Sequence, residues 1–216
     1  MGMPRGVEGG GFLYTNRRSI SLGLILKLGS LVEHRLQASE VLETFKGHPF
    51  VSRLVRGGTV TEYSTCLVAE GGIDMVPRLF TDGALIAGSA AGLVLNNGFN
   101  LRGMDFAIAS GAIAGRVAAK AAKGGVADAS KLRVYQDELE KTFVIRELEK
   151  YRKARRFLDN TRLYSAYPES INAFLHNMYS VSGEGRGHLL SEIRRSMDGV
   201  SALRAVADAF AAARAL

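Results

Sequence analysis

Residues 82–105, DGALIAGSAAGLVLNNGFNLRGMD, hold the pattern in this chain best suited to chemistry. An apolar run, Ala84–Ala87, ends at Gly88. A turn of small residues follows, and a helix pattern opens after Arg102. Gly88 lets a strand end approach a ligand, because glycine has no Cβ. Ser89 offers a hydroxyl, at once donor and acceptor, where open α/β sheets bind ligands. The helix start brings free N–H groups and a partial positive charge, suited to an electron-rich or anionic group. Composition alone would fit plain tight packing as well.

The elements around this stretch follow from pattern. GGGFLYT (9–15) and RRSISLGLIL (17–26) read as two strands about the polar turn Thr15-Asn16-Arg17. Ser39 is placed as the N-cap of EVLETFKG, with Val41, Leu42 and Phe45 on one face, Gly47 as the stop and Pro49 as a break. Residues 53–72 read as a turn at Gly57-Gly58 and then a β-rich strand. Pro77 and Thr81-Asp82-Gly83 bracket a loop. Ala84–Ala87, apolar on both faces, reads as a short buried strand. A helix over 103–123 is lined with Ala107, Ala109, Ser110, Gly111, Ala112, Ala114 and Gly115, which let it lie close to a sheet. Ser130 is read as the cap of a long helix over 131–157, with Leu132, Tyr135, Leu139 and Phe143 at helical spacing. Helices are also predicted over 168–179, 188–197 and 199–215, with GEGRG (183–187) as a loop. The sequence shows no internal repeat.

Composition narrows the function classes. The chain has 216 residues, 47% of them hydrophobic, enough for a packed core and against disorder. Its 25 glycines imply tight turns and close backbone approaches. One cysteine, Cys66, excludes an internal disulfide framework and an all-cysteine cluster, and fits a reducing compartment. His34, His48, His176 and His188 lack zinc spacing, so no metal site is expected. The net charge of +7 comes with no nucleic-acid-binding signature. ISLGLILKLGSLVE (20–33), broken by Lys27, is the nearest approach to a membrane span and falls short of ~20 residues. Ile20–Val32 is read as a core strand and a helix start rather than a quinone-lining or membrane-grazing segment. RELEKYRKARR (146–156) could dock an acidic electron-transfer partner, but reads first as a solvated helix face with Glu147 and Glu149 pairing locally. Cys66 is taken as a buried, inert thiol, Tyr164 and Tyr167 as packing residues, and His48 as a surface turn residue. No Ser/His/Asp set or carboxylate pair stands out.

GALIAGSAAGLVLNNGFNLRGMDFAIASG resembles the second FAD-binding motif of the FixC and electron transfer flavoprotein–quinone oxidoreductase family, among the glutathione-reductase-like flavoproteins. GGGFLYT with SLGL, EYS with VAEGGIDMVPRLFTDG, and FLDNTRLYSAYPE extend the resemblance over about 9–180, the last block on the FixC side. The resemblance implies an α/β fold: the C-terminal half of a glutathione-reductase-like FAD fold. Residues 1–64 would be the remainder of a substrate-side sheet domain, 65–125 the C-terminal part of the FAD-binding domain, and 126–216 a helical C-terminal region. It implies FAD as cofactor, held by Gly88, Ser89, Ala90, Ala91 and Gly92 at the ribityl end. Arg102, Gly103, Met104 and Asp105 would lie by the isoalloxazine ring. The family's aspartate stands at the position of Ser89. The charge-assisted hydrogen bond lost there is worth about 1.5–3 kcal/mol. No strand–GxGxxG–helix holds the ADP part, and GEGRGH (183–188) has the wrong spacing for it.

The resemblance implies electron transfer from an electron transfer flavoprotein, through FAD, to a ferredoxin-like protein or a quinone. It implies a cytoplasmic setting, with at most peripheral contact at the inner face of the membrane and no nucleic-acid partner. A half-fold exposes apolar surface, so a separate N-terminal half or a homo-oligomer is expected. Without such a partner, weak FAD binding and no turnover are expected. Two other readings stand: a related flavin reductase acting on a prenyl or other apolar substrate, and a non-catalytic remnant of the fold that binds a partner.

Overall fold

A computed structural model describes residues 6–125, 127–181, 188–197 and 200–216. The GEGRG segment therefore lies outside the described residues. Among the described residues the architecture is mixed α/β, mostly helical, with three two-stranded antiparallel sheets. The chain divides into two compact units, one of residues 1–64 with 160–205 and one of residues 65–159 with 206–216. No described helix is long and apolar enough to cross a membrane.

In the first unit, β1 (Gly9–Thr15) pairs with β2 (Ile20–Leu26) from Gly9 opposite Leu26 to Thr15 opposite Ile20. The hairpin's turn is longer than expected, so the second strand begins at Ile20. Asn16 braces that turn, its Nδ2 donating to Ser19 Oγ and Ser21 Oγ at 3.1 and 3.0 Å. Two strand glycines make room for aromatic rings. A Cβ on Gly11 would sit 2.5 Å from the Phe45 ring, and one on Gly23 would sit 2.3 Å from the Phe12 ring. Helix α1 (Leu28–Glu33) and α2 (Ala38–Lys46) pack beside the hairpin around Val7, Leu31 and Val41. Gln37, not Ser39, is the N-cap of α2, through a reciprocal capping box with Glu40. Pro49 starts a helix as well as ending one. It opens α3 (Pro49–Val55), with His48 as N-cap accepting from the Phe50 N–H. Proline suits that position because the first turn has no use for its missing N–H.

The β-rich strand expected within 59–72 does not form. Val60, Tyr63, Leu67 and Val68 are all exposed, and no described strand pairs with them. β-propensity reports packing on a pleated face, and here there is no such face. Cys66 in this segment is exposed, not buried. Helices α8 (Ala166–Tyr179) and α9 (Leu189–Ser196) complete the first unit, and α10 (Ala202–Ala215) runs from it into the second.

The second unit opens with a tight hairpin, β3 (Phe80–Thr81) and β4 (Ala84–Leu85), turning at Asp82-Gly83. β4 is shorter and less buried than expected: Ala84 is exposed and Ile86 is 39% exposed. A second hairpin, β5 (Leu95–Asn96) and β6 (Leu101–Arg102), leads into α4 (Met104–Lys123). The long helix expected over 131–157 is three helices: α5 (Ala129–Glu140), α6 (Phe143–Lys150) and α7 (Ala154–Leu158). Thr142 makes the first break. Its hydroxyl donates to the Leu139 carbonyl at 2.6 Å and accepts from the Val144 N–H at 3.2 Å, closing one helix and capping the next. The cap of α5 is Asp128 rather than Ser130. Its Oδ1 accepts from the Lys131 N–H and the Ser130 hydroxyl, and the latter bond leads in holding this carboxyl below its usual pKa. The core joins α4, α5, α6 and the hairpin segments through Leu79, Leu93, Phe106, Val117, Leu139 and Leu148.

Leu139 and Leu148 are wholly buried. Leu139→Ala should lower stability by about 2–5 kcal/mol through the lost methyl groups and the cavity left behind. Thr142→Ala should cost about 0.5–2 kcal/mol through loss of the cap. Chemical denaturation followed by circular dichroism measures both. A Thr142→Ala effect as large as that of Leu139→Ala would mean that the two helices are held by something other than the cap.

Candidate functional site

The 82–105 stretch is built from the backbone outward. Beyond β4 the chain enters a single 3₁₀ turn, Gly88–Ala91, closed by Gly92 in the left-handed region at φ +67°. Gly88 itself has φ +62°, and a Cβ there would lie 3.1 Å from that of Ala107. This site thus needs glycine twice over, for its dihedral and for its contact with α4. Gly88, Ala91 and Gly92 are buried, whereas Ser89 and Ala90 face outward.

Two buried hydroxyls set the position of this strand end. Ser110, on the inner face of α4, accepts the Gly88 N–H at 3.0 Å and donates to the Phe106 carbonyl at 2.7 Å. Tyr135, on α5, donates to the Ile86 carbonyl at 3.0 Å. Both residues have no exposed surface. Burial raises the Tyr135 pKa, partly offset by the nearby Ser110 hydroxyl. Neither residue is among the expected ligand-holding set. Each had a signal in the sequence, however: a hydroxyl at a core position of an otherwise apolar helical stripe needs a buried partner.

The second half of the site is the start of α4. Gly103 is its N-cap and supplies no side-chain acceptor to the first N–H groups of the helix. A Cβ on Gly103 would meet only Val94 at 3.5 Å, an ordinary contact. Met104 is 79% exposed. The Arg102 side chain points into the protein's own ion pairs. Its Nη2 lies 2.5 Å from Asp105 Oδ2, its Nη1 pairs with Glu147 on α6, and its guanidinium lies over the Phe106 ring at 5.0 Å. The bond to Asp105 leads in raising the Arg102 pKa above its ordinary value. Glu147 therefore pairs with Arg102, not with the basic residues beside it in RELEKYRKARR.

The structure thus brings 88–92 against the first two turns of α4, next to 102–105. The open groups are neutral backbone donors and one hydroxyl. Such a set fits the ribityl hydroxyls and pyrimidine edge of a flavin. In the first unit, an open groove of about 490 Å³ lies between β1, α2 and α3, lined by Phe12, Leu22, Phe45, Phe50 and Leu54.

A family model described as the ETF-QO/FixC family C-terminal domain matches residues 154–216. The probable electron transfer flavoprotein-quinone oxidoreductase YdiS of Escherichia coli K12 is 42% identical over 179 residues, covering 83% of this chain and 42% of that protein. FixC of the same strain is 41% identical over 190 residues, covering 88% of this chain and 44% of that protein. FixC of Rhizobium meliloti is 36% identical over 184 residues, covering 84% and 42%. The chain is thus similar to ETF-QO/FixC proteins over most of its length, and its residues 154–216 match that family's C-terminal domain. It spans less than half the length of these curated relatives.

Ser110→Ala would leave the Gly88 N–H buried without its acceptor and should cost about 1–3 kcal/mol. Tyr135 gives a pH signature. Burial raises its folded pKa above the ordinary tyrosine value of about 10, so above that pH the unfolded chain loses its tyrosine proton first. Stability then falls as pH rises through that range. Thermal midpoints taken from pH 9 to pH 11 should drop more steeply for the wild type than for Tyr135→Phe. Parallel curves would show that this hydroxyl is not buried in the folded protein.

Proposed function

We propose that this chain carries the flavin-facing half of an electron-transfer oxidoreductase. In this reading the turn Gly88, Ser89, Ala90, Ala91 and Gly92 holds the ribityl end of FAD through its open residues Ser89 and Ala90, with the buried Gly88, Ala91 and Gly92 setting its shape. The backbone of Arg102, Gly103, Met104 and Asp105 borders the isoalloxazine ring. One observation carries the reading: a strand end pinned by two buried hydroxyls lies against a helix whose N-cap, Gly103, makes no side-chain cap hydrogen bond. The kinship with FixC-type proteins supports it, as does the fit of neutral donors to a flavin's oxygens.

Bound FAD would supply the redox chemistry, for which no side chain here is equipped. The chain's own part is to bind and orient. Ser89 places a hydroxyl toward the ribityl chain. The N–H groups at the start of α4 favour added negative charge beside them through the helix dipole. Arg102 pairs with Asp105 and Glu147 together, so its one positive charge partly offsets the carboxylate in the first helical turn. Residues 65–125 are then the C-terminal part of a glutathione-reductase-like FAD domain, with 1–64 a substrate-side remainder and 126–216 a helical C-terminal region. The proposed electron donor is an electron transfer flavoprotein, and the proposed acceptor a ferredoxin-like protein or a quinone, at the inner face of the membrane. A second reading is a flavin reductase acting on a prenyl or other apolar substrate, and the apolar groove of the first unit is the surface that favours it.

Visible-absorption titration of the purified protein with FAD tests this reading. Weak binding is expected for the wild type. Ser89→Asp should tighten it by about 10- to 100-fold, since it restores a charge-assisted hydrogen bond of about 1.5–3 kcal/mol. No change in affinity would remove Ser89 from the ribityl contact. No flavin binding by either folded protein would sink the cofactor assignment.

A further inference from the structure

The helix α4 is apolar on two opposite sides. Its inner stripe, Phe106, Ser110, Ile113, Val117 and Ala121, is buried in the core of the second unit. At about 100° per residue, Met104, Ile108, Gly111, Gly115, Ala118 and Ala122 form a second stripe on the opposite side. All six are exposed, Met104 at 79% and Ile108 at 75%. The charged residues Asp105, Arg116, Lys120 and Lys123 share one narrow strip between the two. A helix this apolar around its circumference belongs in an interior.

The glycines of the second stripe point the same way. Glycine in a helix interior is unfavourable by about 1 kcal/mol relative to alanine. A Cβ on Gly111 or Gly115 would meet nothing within 4 Å. Among the described residues neither glycine is needed for packing, unlike Gly88 at the same helix's contact with the 3₁₀ turn. Their absent side chains clear a flat strip for a neighbour to lie against.

The length of the relatives points to what that neighbour is. The relatives continue well beyond the region that this chain matches, which is only 42–44% of their length. The C-terminal domain of the family falls on residues 154–216, so most of the relatives' remaining length precedes the shared region. We propose that the outer stripe of α4 is the docking face for the polypeptide that precedes this region in FixC-type proteins, joined to this chain or separate from it. The occupant presents an apolar layer, since no charge lies within the stripe to pair with. This inference concerns association alone and stands apart from the flavin assignment.

The test is co-expression with the tagged N-terminal part of Escherichia coli FixC, the residues ahead of its match to this chain, in the absence of added flavin. The wild-type chain should be retained on that partner. Gly111→Leu and Gly115→Leu should each weaken retention at least tenfold. Their far-UV circular dichroism should be unchanged and their thermal midpoints equal or higher, because leucine is the better helix former. Lys120→Glu, on the charged strip, should leave retention as in the wild type. Equal retention of the leucine variants, or no retention of the wild type, would overturn the proposal. So would a wild-type homodimer that the leucine variants abolish, because the occupant would then be a second copy.

Discussion

Two hydroxyls buried in an apolar core hold the candidate site in place. Hydrophobic burial is non-directional, and would by itself let β4 and the following turn slide over α4 and α5. Hydrogen bonds from Tyr135 to the Ile86 carbonyl and from the Gly88 N–H to Ser110 set a single position for that segment. They do so from two different helices. With its position set, Gly88 must meet Ala107 closely, and the small side chain of Ala107 is what makes that approach tolerable. The residues of 88–92 that remain open, Ser89 and Ala90, are then presented outward as a consequence of how their neighbours are held. A buried polar pair of this kind carries a large penalty if half-satisfied, which is why both partners of each bond must be in place together.

A second brace acts at the start of α4. Arg102 reaches forward to Asp105 and across to Glu147, tying β6 and the first turn of α4 to α6. The groups are partly exposed, so the net stabilisation from the ion pairs is modest. Their main effect is on charge and position. A carboxylate in the first turn suits the helix dipole, and Arg102 offsets its charge in the region where an anionic ligand would sit. The same pairing alters the meaning of the basic run at 146–156. Its cations lose Glu147 as a neighbour, while Arg146 turns back onto the Thr142 and Lys141 carbonyls and Arg152 faces Asp74 at 3.6 Å.

Much of this was legible in the sequence where a local rule acts alone. The hairpin of β1 and β2, the helix ending at Gly47, and the boundaries of α4 between Gly103 and Gly124 all follow from alternation, small residues and stop signals. The resemblance blocks led to the proteins that the chain matches. The failures arise where two local signals compete or where another part of the chain decides. Thr142 could not be read as a break, because its neighbours keep the helical spacing of apolar residues; the break shows only when the hydroxyl is seen to serve Leu139 and Val144 together. Ser130 and Ser39 are good caps by type, but Asp128 and Gln37 lie where the chain actually enters each helix. The segment 59–72 has strand composition and no surface to pair with. Arg102 was identified by position, yet its side chain belongs to the protein's own ion pairs, and only its backbone borders the candidate site.

The glycines separate what the fold needs from what it leaves open. Gly11 and Gly23 are explained by the rings of Phe45 and Phe12, and Gly88 by Ala107, since any Cβ there would collide or press against a neighbour. The chain's own packing accounts for each of these. Gly103, Gly111 and Gly115 have no such explanation: their φ angles lie outside the left-handed region, and a Cβ would meet an ordinary contact or none. All three lie on α4 or at its N-cap. A helix that tolerates the entropic cost of glycine where nothing inside the chain requires it is shaped by something outside those contacts. At Gly103 that is consistent with a ligand near the first N–H groups of the helix, and along Gly111 and Gly115 with a second apolar layer. One helix would then face the core on one side and a partner on the other, with its N-terminus left for a cofactor.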